Sequence, residues 1–206
     1  MKDYKSRTIE SYNKNAKAMA NKFKDMTDLQ RRKEFGRFIE LLKGNKILDL
    51  GCGAGEHSLY FKNQGLDIVS VDLSESMIDL CKEKDLDARV MDIENLQFEE
   101  NTFDGIWSVT SLLHIPKSNI EKVVKKLSDI LRKDGVLYIC VKEGEGEDFV
   151  EDKEDYKNKN GSTARFFSFW QEDELIEVFT EGFDVIEKQK VKLGNTIFLQ
   201  IFFRKK

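Results

Sequence analysis

The sequence predicts an α/β fold: a doubly wound, mostly parallel sheet of seven strands, with one antiparallel strand near the C-terminus and a helical extension at the N-terminus. Three observations carry this expectation. Short apolar runs alternate with helix-period segments from Lys46 onward. The first run ends in a glycine-rich loop that feeds a helix. The last two runs are joined at Leu193-Gly194-Asn195, and a Gly-Asn turn between strands implies a hairpin.

Residues 3–43 read as helical, with Phe35, Phe38, Ile39 and Leu42 at three- and four-residue spacing and Gly44-Asn45 as the stop. Lys46 to Leu50 is the first strand, and Glu56 to Asn63 the helix after its loop. Asp67 to Asp72 is the second strand, after which Ser74 caps a helix to about Lys84. Ala88 to Asp92 and Phe103 to Val109 are the third and fourth strands. Ser118 and Glu121 have the spacing of a capping box opening a helix to about Arg132, and Gly135 to Lys142 is the fifth strand. Residues 143–161, dense in acids, Lys and Gly, read either as a solvated loop or as a flap over the strand ends. A second capping box is expected at Ser168 and Gln171, before a helix with buried Leu175, Val178 and Phe179. Phe183 to Lys192 and Thr196 to Arg204 close the fold, and Ile197 to Phe203 is apolar on both faces, as suits an interior strand.

The 206 residues suit one domain with a full-sized core, and neither an internal repeat nor a second domain is expected. Hydrophobic residues at 40% and charged residues at 35% describe a globular chain. No apolar run approaches a membrane span. Met1 to Arg7 is polar without a following apolar region, so no secretory signal is expected, and the expected compartment is the cytoplasm. Cys52, Cys81 and Cys140 are widely spaced and the histidines are limited to His57 and His114, which argues against a metal site or a disulfide framework. A net charge of −4 gives no global footprint for nucleic acid. The basic clusters at Arg31-Arg32-Lys33 and Lys122 to Lys126 read as solvated helix faces.

The chemistry concentrates at Ile47-Leu48-Asp49-Leu50-Gly51-Cys52-Gly53-Ala54-Gly55. Glycines permit a tight turn and the close approach of a ligand. The spacing is GxGxG, Glu56 stands where a GxGxxG motif has its third glycine, and no Lys-Ser/Thr pair follows. A pyrophosphate here would meet the carboxylates of Asp49 and Glu56, whereas a ligand with an ammonium and a sulfonium suits them. Asp72 ends the second strand, where a carboxylate can accept from both hydroxyls of a ribose. Leu73 and Met77 are candidate walls for a base, and Asp92, ending the third strand, can accept from an exocyclic amine.

Together these residues are similar to the cofactor half of the class I S-adenosylmethionine-dependent methyltransferases, nearest to the small-molecule, ubiquinone-biosynthesis-type branch. The resembling stretches are Ile47–Ser58, Val71–Ile78, Met91–Pro116 and Leu131–Glu147. The resemblance implies a Rossmann-like sheet whose antiparallel last strand is inserted between the fifth and sixth. It implies a helical cap at 1–44, a cofactor-binding half at 45–142, and a substrate side at 143–206. S-adenosylmethionine is the implied cofactor, held by Gly51, Gly53 and Gly55 with Asp49 near its ammonium, by Asp72 at the ribose, and by Asp92 and Ile93 at the adenine. Leu73, Met77 and Ser108 complete the expected cofactor set, and Tyr12 on the N-terminal helix is expected to close over it.

Methyl transfer from a sulfonium requires mainly alignment and exclusion of water, so a dedicated base is optional. His114, in the loop after the fourth strand, is the candidate catalytic base; the competing reading is a structural hydrogen bond. His57 has a lesser claim, and Arg165 with its aromatic neighbours either lines a pocket or packs in the core. The expected acceptor is a small molecule, with an RNA or protein acceptor, or a catalytically silent cofactor-binding subunit, as the alternatives.

Overall fold

A computed structural model of the chain describes residues 4–25, 33–151 and 164–206. The helices are α1 (Tyr4–Asp25), α2 (Lys33–Leu41), α3 (Glu56–Asn63), α4 (Glu75–Lys82), α5 (Lys117–Ile130) and α6 (Glu172–Phe179). The strands are β1 (Lys46–Leu50), β2 (Asp67–Asp72), β3 (Asp87–Val90), β4 (Phe103–Val109), β5 (Leu131–Lys142), β6 (Glu147–Val150), β7 (Arg165–Ser168), β8 (Phe183–Leu193) and β9 (Thr196–Lys205). Seven of them form one sheet in the order β3-β2-β1-β4-β5-β9-β8. β1 pairs in parallel with β2 on one side and β4 on the other, so the strand order reverses there. Ligands of open α/β sheets bind outside the carboxyl ends of the strands at such a reversal. β9 runs antiparallel to both β5 and β8, giving the single inverted strand that the Gly-Asn turn predicts.

Alternation along the strands divides the core. Leu48, Leu50, Ile106, Leu137, Ile139 and Phe203 face one way and bury the apolar stripes of α5 and α6, including Ile120, Leu127, Leu175 and Phe179. Ile47, Trp107, Tyr138 and Phe202 face the other and pack on Phe35 and Phe38 of α2 and Phe61 of α3. Each of these aromatic side chains is almost wholly buried, and full burial of a large apolar side chain is worth roughly 1.5–3 kcal/mol. A smaller cluster joins Ala16 and Met19 of α1 to Ala54 of the glycine loop and Met77 of α4, which seats the N-terminal helix over the reversal point.

Local signals were displaced in three places. The capping box expected at Ser118 does not form. Pro116, with φ of −57°, takes the N-cap two residues earlier, its carbonyl accepts from Asn119 N–H at 2.9 Å, and the Ser118 hydroxyl donates to the Asn119 side chain instead. The box expected at Ser168 lies at Gln171, whose N–H donates to the Glu174 carboxylate at 3.3 Å. Ser168 is the last residue of β7, with its buried hydroxyl on the Ile115 carbonyl. Within the segment read as a loop or flap, Glu147–Val150 is a strand paired antiparallel with β7, and Phe149 lies opposite Phe166. Residues 152–161 of that segment, and Arg31 and Arg32 of the expected basic cluster, lie outside the described residues. No helix among the described residues is long and apolar enough to cross a membrane.

Candidate active site

The loop after β1 owes its shape to glycine. Gly51, Gly53 and Gly55 have φ of 75°, 52° and 82°, a left-handed region unfavourable for other residues. The N–H groups of Gly51 and Cys52 both donate to the Val71 carbonyl, at 2.8 and 2.9 Å, which fastens the loop to the end of β2. The three glycines meet different surroundings. A Cβ on Gly51 would lie 2.3 Å from Ser111 Cβ, and one on Gly55 would lie 2.6 Å from Leu86 Cδ1. A Cβ on Gly53 would meet nothing within 4 Å. Gly51 and Gly55 are therefore required by packing, and Gly53 faces the open space a ligand would take.

That space is a cavity of about 720 Å³ at the carboxyl ends of the strands, within the range of roughly 300–1,000 Å³ for small-molecule sites. Asp72 stands on its wall. Its Oδ2 accepts from Gly53 N–H and its Oδ1 from Ser74 N–H, each at 2.9 Å. Burial pushes its carboxyl above the ordinary value, and these backbone donors oppose the shift. Leu73, Met77, Asp92 and Ile93 also line the cavity, as do Gly51 and Gly53. Asp92 caps the single 3₁₀ turn at Ile93–Asn95, accepting from Glu94 N–H at 2.9 Å, and its other oxygen takes an ion pair from Lys5 of α1 at 2.7 Å.

Three residues of the expected cofactor set stand behind the wall rather than on it. Asp49 is buried with its Oδ2 on the Ser58 hydroxyl at 2.6 Å, and Ser58 in turn accepts from Ser70 at 2.8 Å. Burial raises the Asp49 carboxyl to about 7, with the Ser58 hydrogen bond opposing and the charge of Asp72 adding to the rise. Gly55 closes on Cys81 and Leu86. Ser108 is buried with its hydroxyl 2.7 Å from that of Ser111, and it is Ser111 that reaches the cavity.

α1 covers the opposite side through a hydrogen-bonded chain. Arg165 Nη1 donates to Tyr12 Oη at 3.0 Å, and Tyr12 Oη lies 2.8 Å from His114 Nε2. His114 Nδ1 lies 2.6 Å from the Phe166 carbonyl, which can only accept, so Nδ1 carries the proton and Nε2 accepts from the phenol. Burial, with contributions from Arg165 and Lys142, lowers the imidazole to about 3 and so keeps it neutral. A neutral ring whose free nitrogen is already engaged is a poor independent base; His114 lines the cavity and is held by two hydrogen bonds. His57 also lines the cavity, its Nδ1 accepting from Trp107 Nε1–H at 3.1 Å.

Some site residues are not visible in the sequence pattern. Asn13 Oδ1 accepts from the Ser74 hydroxyl at 2.6 Å and ties α1 to the cap of α4. Thr8 Oγ1 accepts from Phe166 N–H at 3.0 Å. Gln189 and Gln200 enter the cavity from the hairpin. The contacts of Asn13 and Thr8 join elements far apart in the chain, and Gln189 and Gln200 face each other across the β8–β9 hairpin.

A reversed α/β sheet, a glycine loop open at its middle residue and a carboxylate ending the next strand together define a nucleoside-cofactor enzyme fold. Residues 48–139 match the methyltransferase domain family. Over that stretch the chain is similar to the class I S-adenosylmethionine-dependent methyltransferases. It is 36% identical over 94 residues to phosphoethanolamine N-methyltransferase 3 of Arabidopsis thaliana, covering 42% of this chain and 19% of that protein. It is 31% identical over 103 residues to the ubiquinone biosynthesis O-methyltransferase of Coxiella burnetii, covering 47% and 43% respectively. The chain thus matches less than half the length of these curated relatives. Its fold is that of the 1,6-didemethyltoxoflavin-N1-methyltransferase of Burkholderia thailandensis, with a TM-score of 0.77 at 20% identity over 98% of this chain and 89% of the other. A methyltransferase of Methanosarcina mazei superposes with a TM-score of 0.71 at 20% identity, covering 80% and 94%.

Proposed function

We propose that this chain is a cytoplasmic methyltransferase that binds S-adenosylmethionine at the glycine loop and transfers its methyl group to a small molecule. The observation that carries the reading is the pairing of Gly53, open to the cavity, with the carboxylate of Asp72 at 2.9 Å. The residues present fit the cofactor. The space over Gly53 admits a ligand against bare backbone, and the wall beside it carries a carboxylate for hydroxyls. The apolar side chains Leu73 and Met77 offer a face for a base, with Asp92 and Ile93 beyond them. When bound, S-adenosylmethionine supplies a methyl group on a sulfonium, an electrophile whose leaving thioether is neutral.

The work left to the chain is positioning. Asp72 would take the ribose hydroxyls while its hydrogen bonds to Gly53 and Ser74 fix its orientation. Asp92 and the Ile93 backbone would take the adenine edge. Tyr12 would close over the cofactor, with His114 holding the phenol in place and Arg165 favouring electron density on its oxygen. Alignment and exclusion of water together supply about 7–11 kcal/mol of a barrier where geometry is right. The names of the relatives point to small acceptors: a phosphoethanolamine, a ubiquinone precursor route and a didemethyltoxoflavin.

Calorimetry tests the reading. Binding of S-adenosylmethionine and S-adenosylhomocysteine without binding of NAD is expected. Tight NAD binding with no S-adenosylmethionine binding would overturn it.

A further inference from the structure

The cavity continues past the glycine loop along one row of the sheet. Register places Val109 beside Cys140, Cys140 beside Gln200, and Gln200 beside Gln189, and all four line the cavity. One row deeper, Trp107, Tyr138 and Phe202 form an aromatic floor, with ring centroids 4.2 and 4.6 Å apart. One row outward, Phe198 and Val191 are paired in register and supply apolar wall. The charged residues of the wall come from α1, α2, α3 and the ends of β2 and β3; β4, β5, β8 and β9 contribute none. Lys142, opposite Phe198 in register, holds its ammonium over the Phe167 ring, 4.3 Å from the centroid, and is not on the wall.

Among the described wall residues of these four strands, the side-chain pair is two amides facing each other across the hairpin. Gln189 Nε2 donates to Gln200 Oε1 at 2.7 Å. That bond leaves Gln189 with a carbonyl oxygen and Gln200 with an amide NH₂. Exchanging oxygen and nitrogen in both amides leaves the same complement of one donor group and one acceptor. The wall residues of these strands offer a seated charged group no counter-charge. Seating a purely apolar group would leave two polar amides desolvated and unanswered. A planar edge with an N–H beside a C=O answers both at once.

We infer that Gln189 and Gln200 are the acceptor-recognition pair of this enzyme, and that the acceptor is an uncharged planar molecule presenting a lactam or carboxamide edge. The inference rests on the methyltransferase reading for naming this half of the cavity the acceptor site. Lumazine, a fused bis-lactam, is the probe, and phosphoethanolamine the charged comparator. Each is titrated by calorimetry with and without S-adenosylhomocysteine, against the wild type, Gln200→Leu and Gln189→Leu. Gln189 is exposed on the edge strand, so its variant keeps the test available should loss of the buried Gln200 prevent folding.

Binding of lumazine but not phosphoethanolamine is expected, weakened at least about tenfold in the glutamine variants, while affinity for S-adenosylhomocysteine stays within about twofold. A chain that binds S-adenosylhomocysteine but not lumazine, or variants that bind lumazine as well as the wild type, would overturn the inference. A chain that binds lumazine but not S-adenosylhomocysteine would overturn the methyltransferase reading and leave the amide-edge site standing.

Discussion

Tyr12 and His114 are 102 positions apart, and the phenol of one lies 2.8 Å from Nε2 of the other. The contact joins the N-terminal helix to the turn after β4, so it reports whether the cover is seated. Tyr12→Phe removes the donor and leaves a buried imidazole nitrogen unanswered. A loss of about 1–3 kcal/mol in urea unfolding is expected, together with weaker S-adenosylhomocysteine binding and faster amide exchange from Ser11 to Met19. Unchanged exchange in that helix would separate the cover from the hydrogen bond.

The loop glycines are expected to divide by surroundings. Gly51→Ala forces a Cβ to within 2.3 Å of Ser111 Cβ and should destabilise strongly, by more than the roughly 1–2 kcal/mol of left-handed backbone strain alone. Gly53→Ala bears only that strain, since its Cβ meets nothing, and should fold while losing cofactor affinity. Thermal melts of both variants, with calorimetry on whichever fold, decide this. Equal stability of the two would refute the division.

For Asp72→Ala, cofactor affinity should fall at least about tenfold, equivalent to about 1.4 kcal/mol, because a charged acceptor for two hydroxyls is lost. The variant also frees the N–H groups of Gly53 and Ser74. Asp72→Asn, which keeps an oxygen for one of them, should retain more stability. Unchanged affinity in a folded alanine variant would show that the ribose lies elsewhere.

Asp49 makes stability depend on pH with a definite sign. Its carboxyl is raised from 3.8 to about 7 by burial. Between those values the folded chain holds a proton that the unfolded chain has released, so the contribution of Asp49 to stability falls as pH rises from about 4 to about 7. Asp49→Asn keeps an acceptor for Ser58 and removes the titration. The variant should therefore gain stability relative to the wild type on going from pH 5 to pH 8, measured by urea unfolding at both. A constant difference between the two would show that the carboxyl does not titrate in this range.

The strands were legible where a local rule and the global fold agree. Ile47, Leu48 and Leu50 are apolar because both faces of the strand are buried, and Gly51 is glycine because only that residue fits against Ser111, so strand and loop are both written in sequence. The single inverted strand followed from Gly194-Asn195 and the two-faced apolarity of β9. The ribbon of β6 and β7 was not legible. Phe149 and Phe166 pair across 17 positions of sequence, and the acids around Phe149 hide its period. The wall positions of Leu73 and Asp92 follow from strand ends, which sequence marks well, and Met77 sits in the first turn of α4. Ser108 and Asp49 were placed by motif proximity, and motif proximity does not say to which side of a strand a side chain turns. The proline that starts α5 outranked Ser118 because its fixed φ acts before any side-chain cap is reached.

Among the contacts that hold the first helix to the rest of the chain are four polar ones: Lys5 to Asp92, Thr8 to β7, Tyr12 to His114 and Asn13 to Ser74. His114 and Ser74 line the cavity and the second contact turns on the amide of Phe166, so breaking any of these three disturbs the cavity wall. One of these four is ionic and about a quarter exposed, and it weakens with added salt where the other three do not. Ionic strength is therefore a selective lever on how long the helix stays down. At low salt the residence time of spent cofactor should set the pace of turnover, and at high salt that bottleneck should pass to the chemical step.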